Sequence, residues 1–389
     1  MLRWWGSGLL LGLVVVGCGS SSSTAIGSDP GTSSTATTPA PAPAPAPVAP
    51  QKVTGATLDA WQTQAPMPTA RANHCSVVAN GYLVVIGGNY KPKDTFVNLD
   101  DVLAAKIGAD GALGAWTKVG TTPSPVNSCT AATDGTNVYL VDGIFDSDDP
   151  ANPQPHKVRR AALDTNGVLS PWAEIGALPD GVRVLYSSAA ANDGALRVFH
   201  SRLPDDGDAI SLVRAPIAPG GSALGTWSED KWLTGFRGHP QYVFADLGTA
   251  AFVYTLGGYG GADKGNAVLA DGAGAALDAS GAPGKSFGVT SLPKPTSFGQ
   301  AIAVQDWVFV VGGKDSVMTG TGHPDVFAAH IAADGTLGAW SSLAALPQGR
   351  TSHAIALSRG TTDYLYVTGG GYDAGGLATV FSARVRFEK

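Results

Sequence analysis

Six aromatic residues mark the chain at nearly equal intervals: Trp61, Trp116, Trp172, Trp227, Phe287 and Trp340 stand 55, 56, 55, 60 and 53 residues apart. Such a period restricts the fold to an array of one supersecondary unit, because a single copy cannot bury its apolar face alone. Before each aromatic from the second onward stands a turn: Asp110-Gly111, Asn166-Gly167, Pro219-Gly220, Ser280-Gly281 or Asp334-Gly335. A β-rich run lies on the far side of each turn, so each aromatic sits on the second strand of a hairpin. A Pro-containing loop and two more strands follow. The second of these ends at Gly87-Gly88, Asp142-Gly143, His200-Ser201, Gly257-Gly258, Gly312-Gly313 or Gly369-Gly370. Each unit therefore holds four strands.

The strands that lead into these pairs, such as Tyr82-Leu83-Val84-Val85-Ile86 and Trp307-Val308-Phe309-Val310-Val311, are continuously apolar rather than alternating. Both faces must be buried, which a sheet packed between two like sheets achieves. Radial stacking of four-stranded blades does this while leaving only short edges. The glycine pairs permit backbone conformations closed to other residues and are expected to leave room for a bulky aromatic. The first copy opens on its outer strand, residues 59 to 64, and the last run, residues 379 to 387, lacks one. The two ends are expected to complete one blade, because each alone leaves an unpaired edge. The expectation is an all-β, six-bladed β-propeller over residues 53–389.

A paired glycine after a hydrophobic strand, a hairpin to a Trp, then Pro and Arg before the next strand resembles the kelch repeat, over residues 55 to 389. Copies two and three depart from it at Asp142 and at His200-Ser201, and copy four carries Phe287 in place of Trp. Those blades are expected to be less regular.

The N-terminus gives an address. Arg3 precedes the apolar run Leu9 to Val16, too short to span a bilayer and built like a secretory signal. The run closes Val15-Val16-Gly17-Cys18, which resembles the lipobox of bacterial lipoproteins. That resemblance implies a signal peptide over 1–17, acylation of Cys18, and, with Gly19 next, an outer-membrane lipoprotein facing the periplasm or the surface. Multiple acyl chains anchor stably, at about 0.8 kcal/mol per buried methylene. Residues 18–52 are dominated by Ser, Thr, Ala, Gly and Pro and end in an Ala-Pro run. This composition cannot offset the entropy of ordering, and it makes a semi-rigid tether of about 3.1 Å per residue where it adopts polyproline II.

Composition narrows the partners. The formal charge is −6, with 14% charged residues and no Lys/Arg cluster, so nucleic acid is not expected. Three cysteines, without a CxxC pair, give no zinc spacing, and no metal or cofactor is expected. Clustered carboxylates at Asp146-Ser147-Asp148-Asp149, Asp205-Asp206-Gly207-Asp208 and Asp100-Asp101 match no calcium loop and read as a solvated acidic rim.

Strand directions put the loops entering the innermost strands and those leaving the glycine pairs on one face. The entering loops carry Arg71, Asn73 and His74, Arg183 and Tyr186, Arg237 and His239, and Arg350 and His353. A ring of guanidiniums at the channel mouth suits an anion; alternatively each arginine bonds backbone carbonyls within the fold. Three functions are open: a membrane-anchored module binding a protein or glycan at this face, an enzyme acting on an anionic sugar, or a structural part of an envelope assembly. The enzyme reading follows the resemblance, since bacterial kelch proteins include a six-bladed sialic acid mutarotase; it lacks a recognisable acid/base pair here. Galactose oxidase, another relative by resemblance, holds copper through His and Tyr, and no Tyr/His cluster around Cys75 or Cys129 is legible.

Cys75 and Cys129 stand at nearly equivalent places near the start of consecutive innermost strands. Either they bridge two blades, in the oxidising compartment that the signal implies, or they are two small residues filling the channel wall.

Overall fold

The computed structural model describes residues 55–388 except 94, 142, 144–155, 180–181, 183–187, 202–208, 261–266 and 318–320. The signal segment, Cys18 and the tether lie outside the described residues, as do Arg183, Tyr186 and the two longer acidic loops.

Six antiparallel sheets form the six blades of a β-propeller. Blade one runs Cys75–Ala79, Tyr82–Ile86, Asp101–Lys106, Thr117–Thr121 from the inside outward. Blades two to five repeat this order, beginning at Thr130–Thr133, Ser188–Asn192, Gln241–Asp246 and Gln300–Val304. The copies that depart from the repeat still build four strands each, so the expected irregularity does not reach strand pairing. In blade four Phe287–Val289 is the outer strand, and blade three has an eight-residue third strand, Ala209–Pro216.

Blade six joins both ends of the chain. Ala354–Ser358, Asp363–Thr368 and Val380–Phe387 come from the C-terminal region, and the outer edge is supplied by Ala56–Leu58 and Gln62–Gln64. Leu58 lies opposite Val385 and Thr63 opposite Phe381. The outer strand thus starts earlier than residue 59 and breaks at Trp61. There the indole Nε1 donates to the Ala344 carbonyl of blade five at 2.8 Å. Two other repeat tryptophans do the same: Trp116 Nε1 donates to the Ala65 carbonyl at 2.8 Å and Trp340 Nε1 to that of Thr290 at 2.9 Å. At these three positions of the period the aromatic is a staple between neighbouring blades, in which an apolar ring fills the gap and its one N–H is satisfied.

Core side chains lie between blades rather than in the middle. Phe309, Val311, Leu365 and Val367 pack with Leu58 and Trp61 in one such layer. The turn before each tryptophan is part of the same packing. Tyr254 Oη donates to the Gly335 carbonyl and Tyr366 Oη to that of Gly111, both at 2.8 Å. Both glycines have positive φ, and a Cβ on Gly335 would sit 2.4 Å from the Phe252 ring.

The glycine pairs make room for something other than the tryptophan. The N–H groups of Gly88, Gly258 and Gly313 donate to the carbonyls of Val126, Thr296 and Arg350 in the next blade's entering loop, at 2.7–2.8 Å. Gly370 joins the last blade to the first in the same way, onto the Arg71 carbonyl at 2.9 Å. A Cβ on Gly257 would stand 2.3 Å from the Thr296 carbonyl, and Gly87, Gly257, Gly312 and Gly369 are all in the left-handed region. Only glycine allows a neighbouring backbone that close.

Cys75 and Cys129 form a disulfide with their Cα atoms 5.8 Å apart, joining the innermost strands of blades one and two across 54 residues. The bridge, and not the pair of small wall residues, is what the fold contains. In a chain with Cys18 replaced by Ser, titration of the denatured, unreduced protein should find no reactive thiol; two per chain would contradict the bridge.

Candidate functional site

All six innermost strands line a central channel of about 450 Å³, walled mainly by small and β-branched side chains such as Val77, Ala131, Ala190 and Ala356. At its mouth the backbone makes a hydrogen-bonded arc over five blades. Asn73, Ser128, His239, Phe298 and Ser352, one from each of five blades, have φ between 45° and 57°. The N–H groups of Ser128, Asn73 and Ser352 donate to the carbonyls of Asn73, Ser352 and Phe298 in turn, at 2.8–3.0 Å, and Phe298 N–H reaches His239 O at 3.2 Å. Left-handed backbone is ordinary for asparagine but costly for a bulky aromatic. Phe298 is therefore held in a strained position by the blade-to-blade hydrogen bonds.

Three arginines expected at this mouth are used inside the fold. Arg71 is fully buried, and its two terminal nitrogens grip both Asp101 carboxylate oxygens at 2.8 Å, with Nη1 also donating to the Gly87 carbonyl. Arg237 repeats the arrangement on Asp271 at 3.0 and 2.8 Å and on the Gly257 carbonyl. Arg350 makes a different set of contacts: Nη2 donates to Thr379 Oγ1, and its guanidinium lies 4.7 Å from the centre of the Phe381 ring. Burial pushes its pKa down to about 10. In blade five the equivalent cation is Lys294, paired with Asp325, which an Arg-His pattern does not reveal. Asp101, expected in the solvated acidic rim, is instead the partner of Arg71. The clue is in the sequence, because Asp101, Asp271 and Asp325 each follow a glycine pair at a similar distance.

His74 and His353, also expected at the mouth, are 5% and 2% exposed. His74 Nε2 shares a hydrogen bond with Thr368 Oγ1 at 2.8 Å, tying blade one to blade six. Burial, then the Arg71 charge, holds its pKa well below the ordinary value; burial, then Arg350, pushes that of His353 down to about 3. Both are neutral at pH 7 and cannot serve as cationic ligands. They have a consequence for stability. In the unfolded chain each takes up a proton near pH ~6.5, and in the folded chain neither does. Their contribution is thus complete above that pH and declines by about 1.4 kcal/mol per pH unit for each histidine as the pH falls. Urea midpoints should drop between about pH 7 and about pH 5, and a flat profile would contradict the burial of both rings.

The mouth instead displays aromatic rings that sequence reasoning did not single out. His239 stacks on Phe298 with centroids 3.7 Å apart, and Tyr259 lies 6.1 and 6.2 Å from these two. Lys314, 5% exposed, holds Nζ 4.6 Å from the Phe298 centroid and pairs with Asp373 at 3.2 Å. Beside Asp373, Tyr372 stacks on Phe96 at 4.7 Å, and Lys91 Nζ is 5.7 Å from the Phe96 ring. Contacts thus run unbroken from blade four through five and six to blade one. His239 has its pKa pushed down to about 3 by burial and then by Lys314, so it joins the array as a neutral ring. The signal in the sequence is an aromatic or cation in the loop after four of the glycine pairs, one or two residues on at Tyr259, Lys314 and Tyr372 and eight residues on at Phe96.

Among the described residues, no group of three or more His, Cys, Asp or Glu side chains is placed to hold a metal ion.

No protein-family model matches the sequence, and no curated protein matches it. A solved structure of YjhT aligns with a TM-score of 0.57 at 13% identity, over 84% of this chain and 99% of that one. At that identity the likeness concerns the fold alone, and in fold this chain is a six-bladed β-propeller like YjhT.

Proposed function

We propose that this protein is a non-enzymatic binding module, held at the bacterial outer membrane by an acylated Cys18 and the Ala-Pro tether, that takes a protein or glycan ligand on its channel-mouth face. One observation carries the reading. Among the described residues, the arginines and histidines expected to do chemistry on that face, Arg71, Arg237, His74 and His353, are 8% exposed or less, whereas Phe96 and Tyr372 stand 38% and 37% exposed. A binding face needs accessible, rigid rings, and stacked pairs lose little side-chain freedom when a ligand covers them. An enzyme for anionic sugars would need a guanidinium free to grip a carboxylate and an acid or base beside it. Arg71 and Arg237 already grip Asp101 and Asp271.

The test is a binding screen of the full-length chain against glycans and envelope proteins, run beside an NMR assay of anomer exchange on anionic and neutral sugars. Saturable binding that Tyr372→Ala weakens, and that Val168→Ser on an exposed turn leaves unchanged, is the expected result. Accelerated anomer exchange without such binding would favour the enzyme.

A further inference from the structure

Resting on the mouth-face reading, we infer that the ligand is an uncharged oligosaccharide lying extended across blades four, five, six and one, on two aromatic platforms with a polar step between them. The first platform is His239, Phe298 and Tyr259; the second is Phe96 stacked on Tyr372. Between them the buried Lys314 pairs with the part-exposed Asp373, so that the carboxylate is presented as a polar acceptor while the two charges cancel.

This alternation matches the chemistry of a sugar chain. Each pyranose has an apolar face of C–H groups that covers an aromatic ring, and an equatorial edge of hydroxyls that both donate and accept. Cancellation of the Lys314 charge by Asp373 removes the attraction that an anionic polymer would need at the centre of the array. A chain lying along the crescent would meet ring, polar pair and ring in the order in which the structure places them. A ligand held only in the channel would meet mostly small side chains, including Val77, Ala131 and Ala356.

Backbone strain is an independent pointer. The mouth arc uses Asn73, Ser128 and Ser352 at three of its positions, residues that tolerate or are small enough for the left-handed region. At the equivalent place in blade five stands Phe298, with φ 57°. A bulky aromatic in that conformation costs stability, and such cost persists at sites where the side chain is needed. Packing between blades does not require a phenyl ring there, since Asn73, Ser128 and Ser352 take part in the same blade-to-blade hydrogen bonds without one.

The decisive substitution is Phe298→Asn, which installs the residue that blade one already uses. The full-length protein should stay folded, with a melting temperature close to that of the parent. Its affinity for neutral gluco- and manno-oligosaccharides, measured by calorimetry, should fall at least tenfold. Tyr372→Ala should spare short oligosaccharides and abolish the gain in affinity that the parent shows as the chain lengthens. Three results would overturn the proposal: unchanged binding in Phe298→Asn, affinity independent of oligosaccharide length, or retention of anionic polymers only. Binding of a protein at the mouth face, lost in Tyr372→Ala while every neutral sugar fails, would overturn the sugar assignment and leave the binding-module reading standing. Absence of any ligand at that face would overturn both. If Phe298→Asn fails to fold, the length dependence in Tyr372→Ala decides alone.

Discussion

A chain lacking residues 55–65 is expected to lose its cooperative folded state. These residues supply the outer edge of blade six, and both Ala56–Leu58 and Gln62–Gln64 pair with Val380–Phe387. Their removal exposes the partners of Leu58 and Trp61, each worth about 1.5–3 kcal/mol when buried. It also strips the backbone bonds from one side of an eight-residue strand and deletes the indole staple from Trp61 to Ala344. Against a total stability of about 5–15 kcal/mol for a domain, these losses are decisive. The propeller is a closed ring, so an opened blade six also loosens its neighbours. Thermal denaturation followed by circular dichroism checks this, and an unchanged midpoint would show that the C-terminal strands close the ring unaided.

The second large effect is expected at Asp101. Replacing it with Ala leaves the fully buried guanidinium of Arg71 without its carboxylate, and breaking a buried pair from one side costs about 3–5 kcal/mol. The same change at Asp271 should cost less, because its side chain is 60% exposed and water can solvate Arg237 in its absence. Denaturant titration of the two variants distinguishes them. Equal losses would mean that burial of Arg71 is not what makes its partner necessary. Both variants should retain ligand binding wherever they remain folded, since both guanidiniums are turned to their carboxylates within the fold.

The architecture was legible because its causes are periodic. The blades repeat the same demand for an apolar strand buried on both faces, an aromatic on the outer strand and, in four of the six, a glycine pair beneath a neighbouring carbonyl, so six weak signals reinforce one another. Terminal closure followed from simple accounting, with one outer strand missing at the end and one spare at the start. The site was less legible because it depends on which side chains the ring consumes. An Arg-x-x-His pattern looks the same whether the guanidinium faces a ligand or an aspartate roughly 30 residues on, and only burial separates the two for Arg71. The platform residues do not recur as one residue type: Phe96, Tyr259, Lys314 and Tyr372 occupy comparable loops with different chemistry. Their proximity comes from the circular arrangement, which brings blade six beside blade one although Tyr372 and Phe96 are far apart in the chain.

The claim that the mouth face carries the ligand is tested most directly by hydrogen exchange of the full-length protein, with and without a saturating neutral oligosaccharide. Protection is expected to increase at 89–98, 237–241, 257–260, 296–299 and 371–376, and nowhere else. Protection confined to the turns on the opposite face, such as 108–113 and 332–337, would contradict it.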